Sequence, residues 1–156
     1  MPFQKMQWLF PIAVTLHNSE EAVYMPKWIL AHGRQLALHP GAAKIWFGLL
    51  LLTLAAFAVT YLSAQKGKRS VWAYLLFGYA VAMLVNVLIP HIPATLVFGE
   101  YTPGVVTAVL INLPVMGSLL FKAVREQWVS GIKAFAYALL VPLAIGVAIS
   151  ALFALT

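Results

Sequence analysis

Polar positions in this chain fall at intervals between five long apolar stretches, at about residues 6–24, 44–65, 70–89, 103–123 and 134–155. Each is close to the roughly 20 residues that an α-helix needs to cross a bilayer's hydrocarbon core. The pattern predicts an all-α, polytopic membrane helix bundle of about five transmembrane helices, in one domain spanning residues 1–156. Residues 25–43 break it: Pro26, Gly33, Pro40 and Gly41 interrupt two short apolar runs that alternate with Lys27, His32, Arg34 and His39. That composition predicts an interfacial helix or a re-entrant cover after the first span.

The first stretch is unusual. Its purely apolar part, residues 8–16, is too short to cross on its own, so His17-Asn18-Ser19-Glu20-Glu21 must complete the span. On a helix His17 and Glu21 stand at i and i+4, and His17 and Glu20 at i and i+3. At 100° per residue they share one stripe with Phe10, Ala13, Val14 and Tyr24, while Leu9, Ile12, Leu16 and Val23 lie further round. The third stretch ends in Asn86 and then Pro90-His91-Ile92-Pro93. The fourth starts near Pro103, a favourable first helical position, and carries Thr107 and a kinking Pro114. The fifth has Pro142 and a Gly146-x-x-x-Ser150 pair, a packing feature compatible with a homo-oligomer.

Composition supports a membrane protein: 63% hydrophobic residues, 9% charged residues and a mean hydropathy of +0.92. The net charge of +6 does not imply nucleic acid, because the basic residues sit in short connections where they set orientation. Lys5, Lys66, Lys68, Arg69, Lys122, Arg125 and Lys133 fall on one side, and Lys27, Arg34 and Lys44 on the other. The positive-inside rule then places the N-terminus in the cytoplasm and the C-terminus outside. The absence of cysteine excludes disulfides, thiolate ligands and Cys nucleophiles. Residues 17–21 make a poor signal-peptide cleavage region, so residues 1–22 are expected to remain.

There is no Asp, and two of the four Glu are adjacent inside the first span. Each carboxylate costs roughly 2.5–3.5 kcal/mol at a bilayer centre, which points to a site. His17, Glu20 and Glu21, with His91 from the third helix, form a ligand set for a divalent transition metal such as Zn, Fe or Mn. Glu20 or Glu21 can otherwise act as a general base, with Asn86, Tyr101 and Thr107 orienting water or substrate. Two neighbouring Glu in low dielectric also suit a proton- or cation-coupled carrier. A third possibility is a polar cluster that only fixes helix packing in a non-catalytic scaffold. A buried site within the membrane favours a lipid-soluble small-molecule substrate, with membrane lipids as surroundings.

His17-Asn18-x-Glu20-Glu21, Pro26-x-Trp28, Asn86, Pro90-His91 and Tyr101-x-Pro103-Gly104-x-x-Thr107-Ala108 together resemble the HXXEE-domain family of small bacterial membrane proteins. The similarity spans about residues 8–115. It implies a bacterial cytoplasmic-membrane location and a functional or metal-binding role for the name motif, without supplying an activity.

Overall fold

The computed structural model describes residues 1–36 and 40–154. The part of the expected cover at residues 37–39, His39 included, and the end of the fifth stretch at 155–156 lie outside them. Among the described residues the regular elements are all helices: α1 (Phe3–Met6), α2 (Leu9–Leu36), α3 (Ala42–Lys66), α4 (Val71–Phe98), α5 (Val105–Arg125) and α6 (Gly131–Ala154). Four of these, α3 to α6, are long and apolar enough to cross a membrane.

The bundle is built around α4. Gly78 lets α6 approach it closely, since a Cβ there would lie 2.4 Å from the Tyr137 carbonyl oxygen. On its other sides α4 meets α3 and α5, and α2 packs along α3 and α5. The stripe expected on α2 faces inward at Phe10, Ala13, Val14, His17 and Glu21, whereas Leu9, Ile12, Leu16 and Val23 are exposed. Tyr24 departs from it and is 51% exposed.

The expected stop near residue 24 is absent, because α2 continues through Pro26 to Leu36. A proline inside a helix has no N–H for the carbonyl four residues back. That carbonyl, Ala22 O, instead accepts from the Trp46 indole of α3 at 2.9 Å. The third stretch also runs further than expected. Ile89 is extended, at φ −147° and ψ 111°, as the ring of a following proline demands of the residue before it. The chain then turns helical again from Ile92 to Phe98. In α5 the turn Ala108–Asn112 is π-helical, immediately ahead of Pro114, which has no N–H to offer Leu110.

Candidate metal centre

Side chains from α2 and from either side of the α4 kink meet at one place. α2 presents His17 and Glu21 one turn apart. Its orientation is fixed by Asn18, whose Nδ2 donates to Leu49 O at 3.1 Å and Thr53 Oγ1 at 2.8 Å on α3. α4 presents Asn86 before its kink and His91 after it. The His91 carbonyl accepts from Thr95 Oγ1 at 2.9 Å and Thr102 Oγ1 at 3.3 Å, and these two hydroxyls also touch.

His17, Glu21 and His91 are all buried, and one ligand atom from each lies within 4.8 Å of the others. Glu21 Oε1 is 3.6 Å from His17 Nε2 and 3.3 Å from His91 Nε2. Asn86 Oδ1 is 3.0 Å from His17 Nε2 and 2.9 Å from His91 Nε2. Ligands held about 2.0 Å from a tetrahedral zinc-sized ion are separated by about 3.3 Å along each edge. The four measured edges bracket that value.

Glu20, one residue away, does something different. Its Oε1 accepts from the Tyr101 hydroxyl at 2.5 Å and the Gly104 and Val106 amides at 3.2 and 3.3 Å. Its Oε2 accepts from the Thr107 amide at 2.8 Å and the Thr107 hydroxyl at 2.6 Å. The carboxylate thus caps the N-terminus of α5, where free amides and the helix dipole favour an anion. Five donors leave it no free lone pair to turn toward a metal. Burial, followed by the hydrogen bond to Glu20 and the Glu20 charge, pushes the Tyr101 phenol well above its ordinary pKa, so it stays a donor.

This cap also sets a tautomer. Thr107 has one hydroxyl proton, and the short contact to Glu20 takes it. Thr107 Oγ1 must then accept from His17 Nδ1, 3.0 Å away. With its proton on Nδ1, His17 offers a lone pair at Nε2, where Asn86 Oδ1 and the Glu21 carboxylate also point. His91 can place at most one proton from Nε2 among these acceptors. His91 Nε2 faces the same two oxygens, so four potential donor atoms to a cation converge here.

All seven residues singled out as candidates, His17, Glu20, Glu21, Asn86, His91, Tyr101 and Thr107, meet at one level of the bundle. Within this group the structure brings His17, Glu21, Asn86 and His91 into the cluster itself and turns Glu20, Tyr101 and Thr107 to its supporting side. Two further residues emerge that sequence reasoning gave no role. Asn18 anchors α2, as above. Gly104 has φ +89°, and a Cβ on it would lie 2.7 Å from His91 Cε1, 2.8 Å from His17 Cε1 and 3.0 Å from Glu21 Cγ. A Pro-Gly pair just ahead of a helix beginning was the available signal. Further along α2, Trp28 Nε1 donates to Glu100 Oε1 at 3.1 Å, with His32 Nε2 3.3 Å from the same oxygen. This ties the α2 extension to the loop between α4 and α5.

The profile of a family described as "Protein of unknown function with HXXEE motif" matches residues 8–119. A Bacillus subtilis (strain 168) protein, "Uncharacterized protein YrkK", is 26% identical over 113 residues, which cover 72% of this chain and 71% of that protein. No solved structure matches the chain.

Proposed function

The chain belongs to the HXXEE family, and we propose that the family's name motif here is half of a divalent-metal centre in a membrane metalloprotein acting on a lipid-soluble substrate. The observation that supports this most strongly is the convergence of His17 Nε2, His91 Nε2 and Glu21 Oε1 at ligand spacing inside the bundle. Two imidazoles and one carboxylate form the donor set of many Zn²⁺ and non-haem Fe²⁺ sites, and Mn²⁺ is compatible with it. Asn86 Oδ1 serves as a fourth donor. A bound ion of this kind supplies Lewis acidity toward a carbonyl or hydroxyl oxygen.

The remaining residues act on the ligands. Glu20, held by the α5 amides and Tyr101, orients the Thr107 hydroxyl, which fixes His17 with its lone pair toward the centre. This is a carboxylate–hydroxyl–histidine version of the support usually given to metal-bound imidazoles. In this account Glu20, Tyr101 and Thr107 are positioning residues, and Glu21 and Asn86 touch the reacting centre.

We further assign α2 as a fifth membrane span, with residues 25–36 continuing beyond it as the outer wall of the site. The N-terminus then lies in the cytoplasm and the metal centre toward the outer leaflet of a bacterial cytoplasmic membrane.

A proton shared by Glu21 and the two imidazoles is the rival, favoured by the 3.0 Å hydrogen-bond distance from His17 Nε2 to Asn86 Oδ1. Elemental analysis of protein purified without chelators separates them. About one transition-metal ion per chain is expected in the wild type, with sharp loss in His17→Ala, Glu21→Gln and His91→Ala. Equal, negligible metal in all four proteins would overturn the metal centre and leave the proton shared by Glu21 and the imidazoles.

A further inference from the structure

A cavity of about 380 Å³ runs from the His/Glu/Asn cluster into the hydrocarbon side of the bundle. Its volume is within the range of small-molecule sites. One end is formed by His17, Glu21, Asn86 and His91. The apolar walls come from α2, α3, α4 and α6, with Ile45, Leu49, Ile145, Ile149, Leu152 and Phe153 supplied by α3 and α6. Other polar residues reach the lining with their donor groups already engaged, Trp28 through its bond to Glu100. Asn18 donates to Leu49 O and Thr53, Tyr79 donates to Leu52 O at 2.8 Å, and Thr102 bonds the His91 carbonyl. The unengaged polar atoms therefore belong to the cluster and to Asn18, the neighbour of His17.

From this asymmetry we infer that the cavity binds an amphiphile with one uncharged oxygen head, an alcohol, aldehyde or ester, and a single hydrocarbon body. The inference rests on the metal-centre assignment for the chemistry at its polar end. The head meets the cluster and the body lies between α3 and α6. Among the described residues no Lys or Arg lines the cavity, and Glu21 is its one acidic side chain. A divalent ion held there can meet one oxygen of a phosphate or sulfate head, and the remaining charged oxygens would be buried with no Lys or Arg side chain beside them. A single uncharged oxygen leaves no charged oxygen unmet.

The same walls indicate the route in. α3 and α6 meet at Gly48 and Leu152, where a Cβ on Gly48 would lie 3.1 Å from Leu152 Cδ2. The outward faces of both helices are apolar, with Leu50, Leu51, Leu54, Leu143 and Val147 exposed. The seam thus lies between two lipid-facing surfaces, and the Leu152 side chain stands at it.

The test uses purified full-length protein in phosphatidylcholine nanodiscs. The probes are a long-chain primary alcohol with a mid-chain diazirine and the matching alkyl phosphate. Cross-linked peptides are read by mass spectrometry and bound metal by elemental analysis. The alcohol is expected to label residues 45–52 and 145–153 saturably. In Leu152→Trp or Ile149→Phe, whose larger side chains fill the cavity, labelling should fall roughly tenfold or more, with metal content as in the wild type. The phosphate should label these segments no more than background. Labelling that fails to saturate, that is equal in the wild type and both variants, or that is stronger for the phosphate would overturn the inference. Metal without saturable labelling sinks the inference alone. Saturable, variant-sensitive labelling in a metal-free wild type supports the cavity and sinks the metal centre.

Discussion

Glu20 and Glu21 differ in sequence position by one residue and in surroundings completely. Glu20 faces five donors at the α5 terminus, while Glu21 faces two imidazoles and an amide oxygen. Glu20→Gln replaces one acceptor oxygen with an NH₂ group set against amide or hydroxyl donors. It is expected to destabilise the fold by about 1–3 kcal/mol, read as a lower melting temperature, with metal still bound below that temperature. Glu21→Gln should do the reverse, keeping the melting temperature of the metal-free protein while losing metal. Thr107→Val removes the acceptor for His17 Nδ1 and is expected to weaken metal affinity about 10–100-fold. Gly104→Ala adds a methyl group at φ +89° against both histidines and Glu21. A cost of about 1–3 kcal/mol from the backbone alone, together with loss of bound metal, is the expected outcome. The residue types of the site were legible in the sequence because charged groups in an apolar stretch stand out. The division of labour between the two Glu was not, since it depends on which of two adjacent side chains meets the start of another helix. Helical periodicity placed both on one stripe.

Helix positions were legible from hydropathy, and helix ends much less so. Pro26 and Pro90 illustrate why. Both read as breakers, yet the chain stays helical through Pro26 because a tryptophan on α3 satisfies the carbonyl that the proline leaves free. Pro90 does break α4, but helix resumes two residues later. Only tertiary contacts distinguish the two cases. Trp46→Phe should therefore leave Ala22 O without a donor and destabilise the upper half of α2 by about 1–3 kcal/mol. Hydrogen exchange of residues 22–30 is the appropriate readout. At the opposite end, α1 is fastened by the Phe3 amide, which donates to Glu126 Oε2 at 2.9 Å, and by the Phe3 ring against Trp128. The Phe3 amide, followed by Lys122 and Lys68, holds the Glu126 carboxyl below its ordinary pKa. A depressed carboxylate contributes stability above its unfolded pKa and loses it as pH falls through the folded value. Acidification below the ordinary carboxylate range should thus release α1 and shift Trp128 fluorescence. In Glu126→Gln that acid transition should be absent.

The molecule as a whole combines a lipid-facing exterior with a polar centre reached from an apolar cavity. Five spans with residues 66–69 and 122–133 in the cytoplasm would place that centre toward the outer leaflet. A reporter cysteine at Gly67 should then be labelled only after the membrane is permeabilised, and labelling from outside intact cells would reverse the orientation. The count of spans was less legible than the other features, because α2 carries the His/Glu motif, which lowers its hydropathy, and only α3 to α6 are apolar and long enough by themselves. The central claim is that this bundle holds a metal through two imidazoles and a carboxylate. X-ray absorption at the edge of the bound metal measures that coordination directly. The account predicts two imidazole nitrogens at about 2.0–2.1 Å in the zinc-loaded protein, falling to one in His91→Ala. A shell containing no imidazole, or a wild-type protein that binds none of Zn²⁺, Fe²⁺ and Mn²⁺, would contradict it.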